Sequence, residues 1–269
     1  MRPVQFAASQ VVSGVRPPRE TMRTFRIVFT AFLAVATVSD SQAQGRGLSL
    51  SHLTGGVYVV VDSFYGGENS AVYIGDTRVT VIGATWTPET ARLLSEEIRK
   101  ITAKPITDVI NTNYHPDRAG GNSYFQSAGA TVTSTKMTYD LLKTNWDAIV
   151  TFTQKARPDY PSVTLALPDK TYPGDFELQG GSVQAVYLGP SHTPDGIFVY
   201  FPKEKVLYGG CILKEQLGNL DFANLAEYPK TLAKLKRFDI RTVIAGHWSA
   251  IHGPELIDQY IHLLEERGK

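Results

Sequence analysis

The sequence predicts an α/β protein folded as one domain, with two β-sheets face to face and helices on the outside. Two observations predict it. Short β-branched runs bounded by Gly and Asn turns alternate with amphipathic helical stretches, and the second half of the chain repeats the plan of the first. No linker-like segment separates the halves. At 42% hydrophobic and 20% charged residues, the 269-residue chain has the balance of an ordinary globular protein that can bury a substantial core.

The first half opens with strand-like Val57-Tyr58-Val59-Val60-Val61, Ala71-Val72-Tyr73-Ile74 and Arg78-Val79-Thr80-Val81-Ile82. A helix then starts with Thr87 as N-cap and Pro88 at its first position. Its Ala91, Leu94, Ile98 and Ile101 recur at helical spacing, and Pro105 follows its end. Ile106–Ile110 reads as a buried strand, Thr131-Val132-Thr133 as another, and about Lys136 to Lys155 as a long helix with Leu141, Leu142, Trp146, Ile149, Val150 and Phe152 on its apolar side. The second half offers strands at 176–178, 183–187, 197–201 and 206–208. Glu227-Tyr228-Pro229 leads into a helix through Leu232, Leu235 and Phe238. Thr242–Ala245 is the last strand, and Pro254 opens a C-terminal helix.

Residues 1–43 stand apart. Met22-Arg23-Thr24-Phe25-Arg26 is a basic start, Ile27 to Val38 an apolar run, and Ser41-Gln42-Ala43 a small-residue cleavage site. Together they read as a secretory signal, preceded by an upstream extension, with Met22 an alternative start to Met1. The run of about twelve residues is too short to span a bilayer. The mature domain is therefore expected to occupy 44–269, to begin near Gln44 and to be exported to the periplasm. Without residues 1–43 the chain holds 22 basic and 24 acidic residues, near −2, and no basic stripe calls for nucleic acid. The one cysteine, Cys211, excludes an intramolecular disulfide. A lone thiol in an oxidising compartment needs a reason to persist, and metal ligation supplies one.

The chemistry gathers at Asn111-Thr112-Asn113-Tyr114-His115-Pro116-Asp117-Arg118-Ala119-Gly120-Gly121-Asn122, directly after strand 106–110. A His and a carboxylate two residues apart suit metal ligation or proton transfer. His192, Cys211 and His247 each lie just past another strand, so all can meet at one sheet edge. His52, His252 and His262 read as structural or solvated.

Taken with Gly55–Val60, Gly83-Ala84-Thr85-Trp86-Thr87-Pro88, Cys211-Ile212-Leu213-Lys214 and His252–Asp258, these motifs resemble the class B metallo-β-lactamases over nearly the whole mature chain. The resemblance implies a four-layer αββα sandwich, two mixed β-sheets with helices outside, and a zinc site at one edge. Most members open the motif with His. Asn113 at that point, with His115, Asp117, Arg118 and Cys211 to Lys214, is similar to the second subclass, the mono-zinc carbapenemases.

That subclass implies Zn²⁺ at Asp117, Cys211 and His247. The other site is left as a remnant of Asn113, His115 and His192, because a neutral amide is a far weaker zinc ligand than imidazole. One zinc is expected in the active enzyme, and a second at the remnant is expected to inhibit. The resemblance further implies hydrolysis of the β-lactam amide bond with carbapenem preference, conferring antibiotic resistance, with no covalent enzyme intermediate. His115 and Asp117 would hold the attacking water, either one as general base, and His192 would assist catalysis and orient substrate. Lys214 would pair with the substrate carboxylate and Asn219 would hydrogen-bond it. Trp86 and the helix near Trp146 are candidate cleft walls. Pro116, between His115 and Asp117, departs from the family pattern and is expected to stiffen the loop or shift the ligand slightly. The expected partner is a small-molecule β-lactam, with no membrane association after signal cleavage and a monomeric state. Two rivals share the residues: another hydrolase of the same fold acting on thioesters or phosphodiesters, or a non-catalytic periplasmic zinc-binding protein. The former usually carries His-x-His-x-Asp-His; the latter needs no Lys214 or Asn219.

Overall fold

The computed structural model describes residues 47–267, so the signal segment lies outside the described residues. Strands β1 (Leu48–Thr54), β2 (Val57–Asp62), β3 (Glu68–Ile74) and β4 (Val79–Ile82) form an antiparallel meander. Helix α1 (Pro88–Ile101) crosses back to β5 (Ile106–Ile110), which pairs parallel with β4. The short helices α2 (Pro116–Ala119) and α3 (Asn122–Ser127) follow, then β6 (Thr131–Thr135), helix α4 (Lys136–Ala156) and β7 (Lys170–Tyr172), completing a seven-stranded sheet in sequential order. The second sheet has six strands: β8 (Phe176–Leu178), β9 (Val183–Val186), β10 (Phe198–Phe201), β11 (Val206–Gly210), β12 (Thr242–Ala245) and β13 (Ile251–His252). Helices α5 (Tyr228–Ala233) and α6 (Leu256–Arg267) belong to this half. Both sheets are mixed, as expected.

Strand alternation builds the layers. Val57, Val59, Ala71, Tyr73, Ile82 and Ile110 of the first sheet meet Val199, Phe201, Val206, Tyr208 and Ile244 of the second in a central core. The intervening residues Val60, Val72, Val81 and Val109 face the other way, onto Ala91, Leu94 and Ile98 of α1 and Phe125 of α3. On the far side, Phe198, Tyr200, Leu207 and Val243 pack under Tyr228 and Leu232 of α5 and Tyr260 and Leu264 of α6. The result is helix, sheet, sheet, helix. Among the described residues no helix is long and apolar enough to cross a membrane.

The α1 start forms as its sequence predicts. The Thr87 hydroxyl accepts from the Thr90 amide at 3.1 Å, the Thr90 hydroxyl accepts from the Thr87 amide at 3.0 Å, and Pro88 fills the first turn. Each fully buried Leu94 or Ile98 contributes about 1.5–3 kcal/mol by leaving water. Ile101, read as part of that face, is exposed at the last turn. The helix read through Phe238 stops earlier: α5 ends at Ala233 and tightens into a 3₁₀ turn, Lys234–Arg237, before Phe238 extends. The spacing of Leu232 and Leu235 fits both forms.

β9 and β11 both run antiparallel to β10, and β12 runs parallel to β11. Strands β9, β11 and β12 therefore end on one edge, which carries His192, Cys211 and His247.

Candidate metal centre

The loop after β5 returns to that edge through Pro116. Proline is best accepted at the first position of a helix, and it pushes the preceding residue to extended backbone. Accordingly Pro116 opens α2 and His115 adopts φ −71, ψ 150. The departure from the family pattern is thus absorbed as a helix start. His115 and Asp117, on either side of it, turn to different partners.

Asp117, Cys211 and His247 form one cluster, their ligand atoms all within 4.8 Å of one another. The Cys211 thiol donates to Asp117 Oδ2 at 3.1 Å, and His247 Nε2 lies 3.3 Å from the same oxygen. The other ring nitrogen, His247 Nδ1, is 2.9 Å from the Gly67 carbonyl. A carbonyl can only accept, so Nδ1 carries the proton and Nε2 presents its lone pair to the cluster. A carboxylate, a thiol and an oriented imidazole make a three-ligand donor set that fits a divalent ion with an open position.

His115, His192 and Cys211 make a second group, also within 4.8 Å. The two rings stand edge to face, 5.1 Å between centroids. His115 Nε2 and His192 Nδ1 are buried and have no hydrogen-bond partner among the described residues. Asn113, the remaining residue expected here, is turned back on its own loop: its Oδ1 accepts from the His115 amide at 3.1 Å. Cys211 thus stands between the two groups.

Burial governs the charges. It pulls the His115 imidazole down to about 4 and His192 well below its ordinary range, so both are neutral bases at neutral pH. Burial would raise the Asp117 carboxyl too, but Arg118 and His247 outweigh it and hold the group well below the usual carboxylate range. The Cys211 thiol is pushed up to about 12 by burial, against the pull of Arg118. A bound cation would reverse that.

Arg118 lies wholly buried under the cluster. Its Nε donates to Cys211 Sγ at 3.1 Å, its Nη1 to Asn69 O at 2.9 Å and to Glu68, and its Nη2 to Gly246 O at 3.0 Å, with Asp117 Oδ2 at 3.1 Å. One side chain therefore braces three of the loops that carry the candidate ligands. Arg118 stood in the motif, but its bracing role and its partner Glu68, fifty positions upstream, escaped the sequence reading. The available signal was an acid at the start of an otherwise neutral strand.

The centre opens into a cleft of about 560 Å³ bordered by His115, Asp117, His192, Cys211 and His247. Trp86 lines it, as do Ile149 and Phe152 of α4 and Phe222. Trp146 does not; it is core, its Nε1 donating to Val163 O at 2.8 Å. Asn219 lines the cleft with its amide engaged locally, Nδ2 donating to Asp221 Oδ2 at 2.9 Å. Lys214 lies behind the wall, only 3% exposed, and burial pulls its ammonium down to about 8. It acts on His115, His192 and His247 electrostatically from there.

These features agree with the comparisons. The family model of the metallo-β-lactamase superfamily matches residues 64–247. The chain is 34% identical over 221 residues to metallo-β-lactamase type 2 of Elizabethkingia meningoseptica, covering 76% of this chain and 82% of that one. It is 26% identical over 261 residues to metallo-β-lactamase type 2 of Bacteroides fragilis, covering 89% and 98%. Among solved structures, VMB-1 superposes with TM-score 0.72 at 25% identity, covering 84% of this chain and 100% of that one. The metallo-β-lactamase DIM-1 gives 0.71 at 22%, covering 82% and 98%. With its sandwich of two mixed sheets and a ligand cluster at one sheet edge, the chain belongs to the metallo-β-lactamase superfamily.

Proposed function

We propose that the chain is a zinc-dependent β-lactamase of the mono-zinc, carbapenem-preferring subclass, exported to the periplasm, which opens the β-lactam ring by direct hydrolysis. The observation that carries this reading is the inequality of the two ligand groups. Asp117, Cys211 and His247 offer two potential anions and an oriented imidazole, whereas Asn113 is hydrogen-bonded away and leaves His115 and His192 a third imidazole short. Zinc held by Asp117, Cys211 and His247 would supply a Lewis acid that stabilises negative charge developing on the departing lactam nitrogen.

The protein's own groups divide the remaining work. Asp117 is committed to Arg118, Cys211 and His247 and stays ionised. His115 is neutral, with its Nε2 unpartnered, and is the better placed of the two to take a proton from a water attacking the carbonyl. His192, edge-on to His115, fixes that ring and borders the reacting group. Phe222, 5.4 Å from His115 between ring centroids, helps exclude bulk water. Lys214 would attract the substrate carboxylate from behind Gly218: a buried ammonium with no carboxylate within ion-pair reach among the described residues gains when an anion arrives. Asn219 would donate to substrate by exchanging its Asp221 partner.

Purified 44–269 should hydrolyse imipenem faster than nitrocefin. Titrating metal-free protein with zinc, the rate should peak near one equivalent and then decline, because a second ion on His115 and His192 removes the base. A steady rise to a plateau at two equivalents would sink the mono-zinc reading; zinc binding with no hydrolysis of either substrate would leave only a zinc-binding protein.

A further inference from the structure

The cleft has a second cation that the hydrolytic reading does not use. Arg157 caps the C-terminus of α4, its amide donating to Thr153 O at 2.8 Å, and its side chain borders the cleft. The guanidinium lies over the Trp86 ring, 5.7 Å from the centroid. The cation–π contact holds the group at the cleft wall, and among the described residues no hydrogen bond occupies its N–H groups.

The opposite loop is built to admit it. Gly66 has φ +97, where a side chain is strained, and a Cβ there would sit 2.4 Å from Arg157 Cζ and Nη1. Any other residue at 66 would drive the guanidinium out of its place. Among the described residues no carboxylate pairs with Arg157. The Trp86 ring also lines the cleft, and its Nε1 is buried without a hydrogen-bond partner among the described residues. A guanidinium on the cleft wall, held between the Trp86 ring and the Gly66 backbone, is a docking point for a carboxylate. This wall is separate from that of Lys214, whose Nζ lies 3.6 Å from the Cβ position of Gly218.

We propose that Arg157 is a specificity-determining residue that binds a second carboxylate, carried on the acyl side chain of a dianionic β-lactam. The proposal rests on the β-lactamase reading for its ligand, while Lys214 serves the carboxylate common to all these substrates. A charge-assisted bond at a half-exposed site should favour the dianion by about tenfold, the equivalent of about 1.4 kcal/mol.

The test uses two penicillins that differ by one side-chain carboxylate, carbenicillin and benzylpenicillin. Their binding to metal-free wild type, Arg157→Leu and Arg157→Lys is measured by calorimetry, and their KM and kcat with the zinc-loaded proteins. In Arg157→Leu the carbenicillin-to-benzylpenicillin affinity ratio should fall about tenfold, mainly through KM, and Arg157→Lys should recover part of it. Equal losses for both penicillins, or an unchanged ratio, would overturn the proposal. A ratio that shifts in metal-free binding while neither compound is hydrolysed would uphold the anion site and strike the hydrolytic reading alone.

Discussion

Replacing Arg118 with Ala should destabilise the metal-free protein by about 3–5 kcal/mol, the usual cost of removing one partner of a buried ion pair. The side chain is fully buried, and its donors reach Glu68, Asp117, Cys211 and the carbonyls of Asn69 and Gly246. Truncation removes the charged donor from each of them, leaving the Glu68 carboxylate only the Ser70 hydroxyl and Asp117 only Cys211 and His247. Glu68 carries a sign that separates this account from simple loss of packing. Burial already pushes its carboxyl up to about 8, with Arg118 pulling the other way. A raised carboxyl gives stability that is full below the unfolded value of 4.5 and is lost as pH rises through the folded one. Without Arg118 the ionised form is worse still, so the variant should lose more relative to wild type at pH 8 than at pH 5.5. Urea unfolding of both proteins at both pH values measures this. In a domain of this size the melting temperature should fall by roughly 6–20 °C. Adding Glu68→Gln to Arg118→Ala should return part of the loss, most at pH 8. A cost below about 1 kcal/mol that is the same at both pH values would refute the reasoning.

Three further outcomes are expected. Cys211→Ser should abolish hydrolysis and most zinc binding, since a serine hydroxyl does not ionise near neutral pH; near-normal metal content after dialysis would show that the ligand set is wrong. Lys214→Ala should raise KM for carbapenems more than it lowers kcat. Because burial brings the Lys214 ammonium down to about 8, its charge is lost as pH rises through that value, so kcat/KM should fall on the alkaline side of pH 8, and Lys214→Arg should remove that fall. N-terminal sequencing of exported protein should find Gln44, and material still beginning at Met22 would refute the signal reading.

Where the ligands would meet was legible, because it depends on local signals. His192, Cys211 and His247 each follow a β-branched run, and strands that run the same way end on the same edge. The α1 boundary was legible because Thr87 and Pro88 act within one turn. What lies beneath the ligands was not. Glu68 reaches Arg118 across fifty positions, and Gly67 reaches His247 across 180; neither pairing leaves a periodic trace. Strands β7 and β13 are short and bury no residue, so unlike β8 with its buried Phe176 they offer no apolar signal to read. The burial of Lys214 was likewise hidden, since Gly218, whose bare Cα lets the chain close over its ammonium, reads only as a turn residue.

Asn113 and Pro116 act together to separate two neighbouring side chains. Asn113 Oδ1 takes the His115 amide proton, and Pro116 holds His115 extended before α2 begins. His115 is thereby aimed at His192 and Phe222, in apolar surroundings that keep it neutral. Asp117, one helical step on, enters a field set by Arg118 and keeps its charge. Two residues of one short motif thus receive opposite treatment from burial: one stays an uncharged base, the other an anion. On the reading proposed above, an imidazole at 113 would add a third ring to His115 and His192 and make that group a better metal site than the amide does. In that proposal the number of metals turns on whether the side chain at 113 faces its own backbone, as Asn113 does here, or a cation.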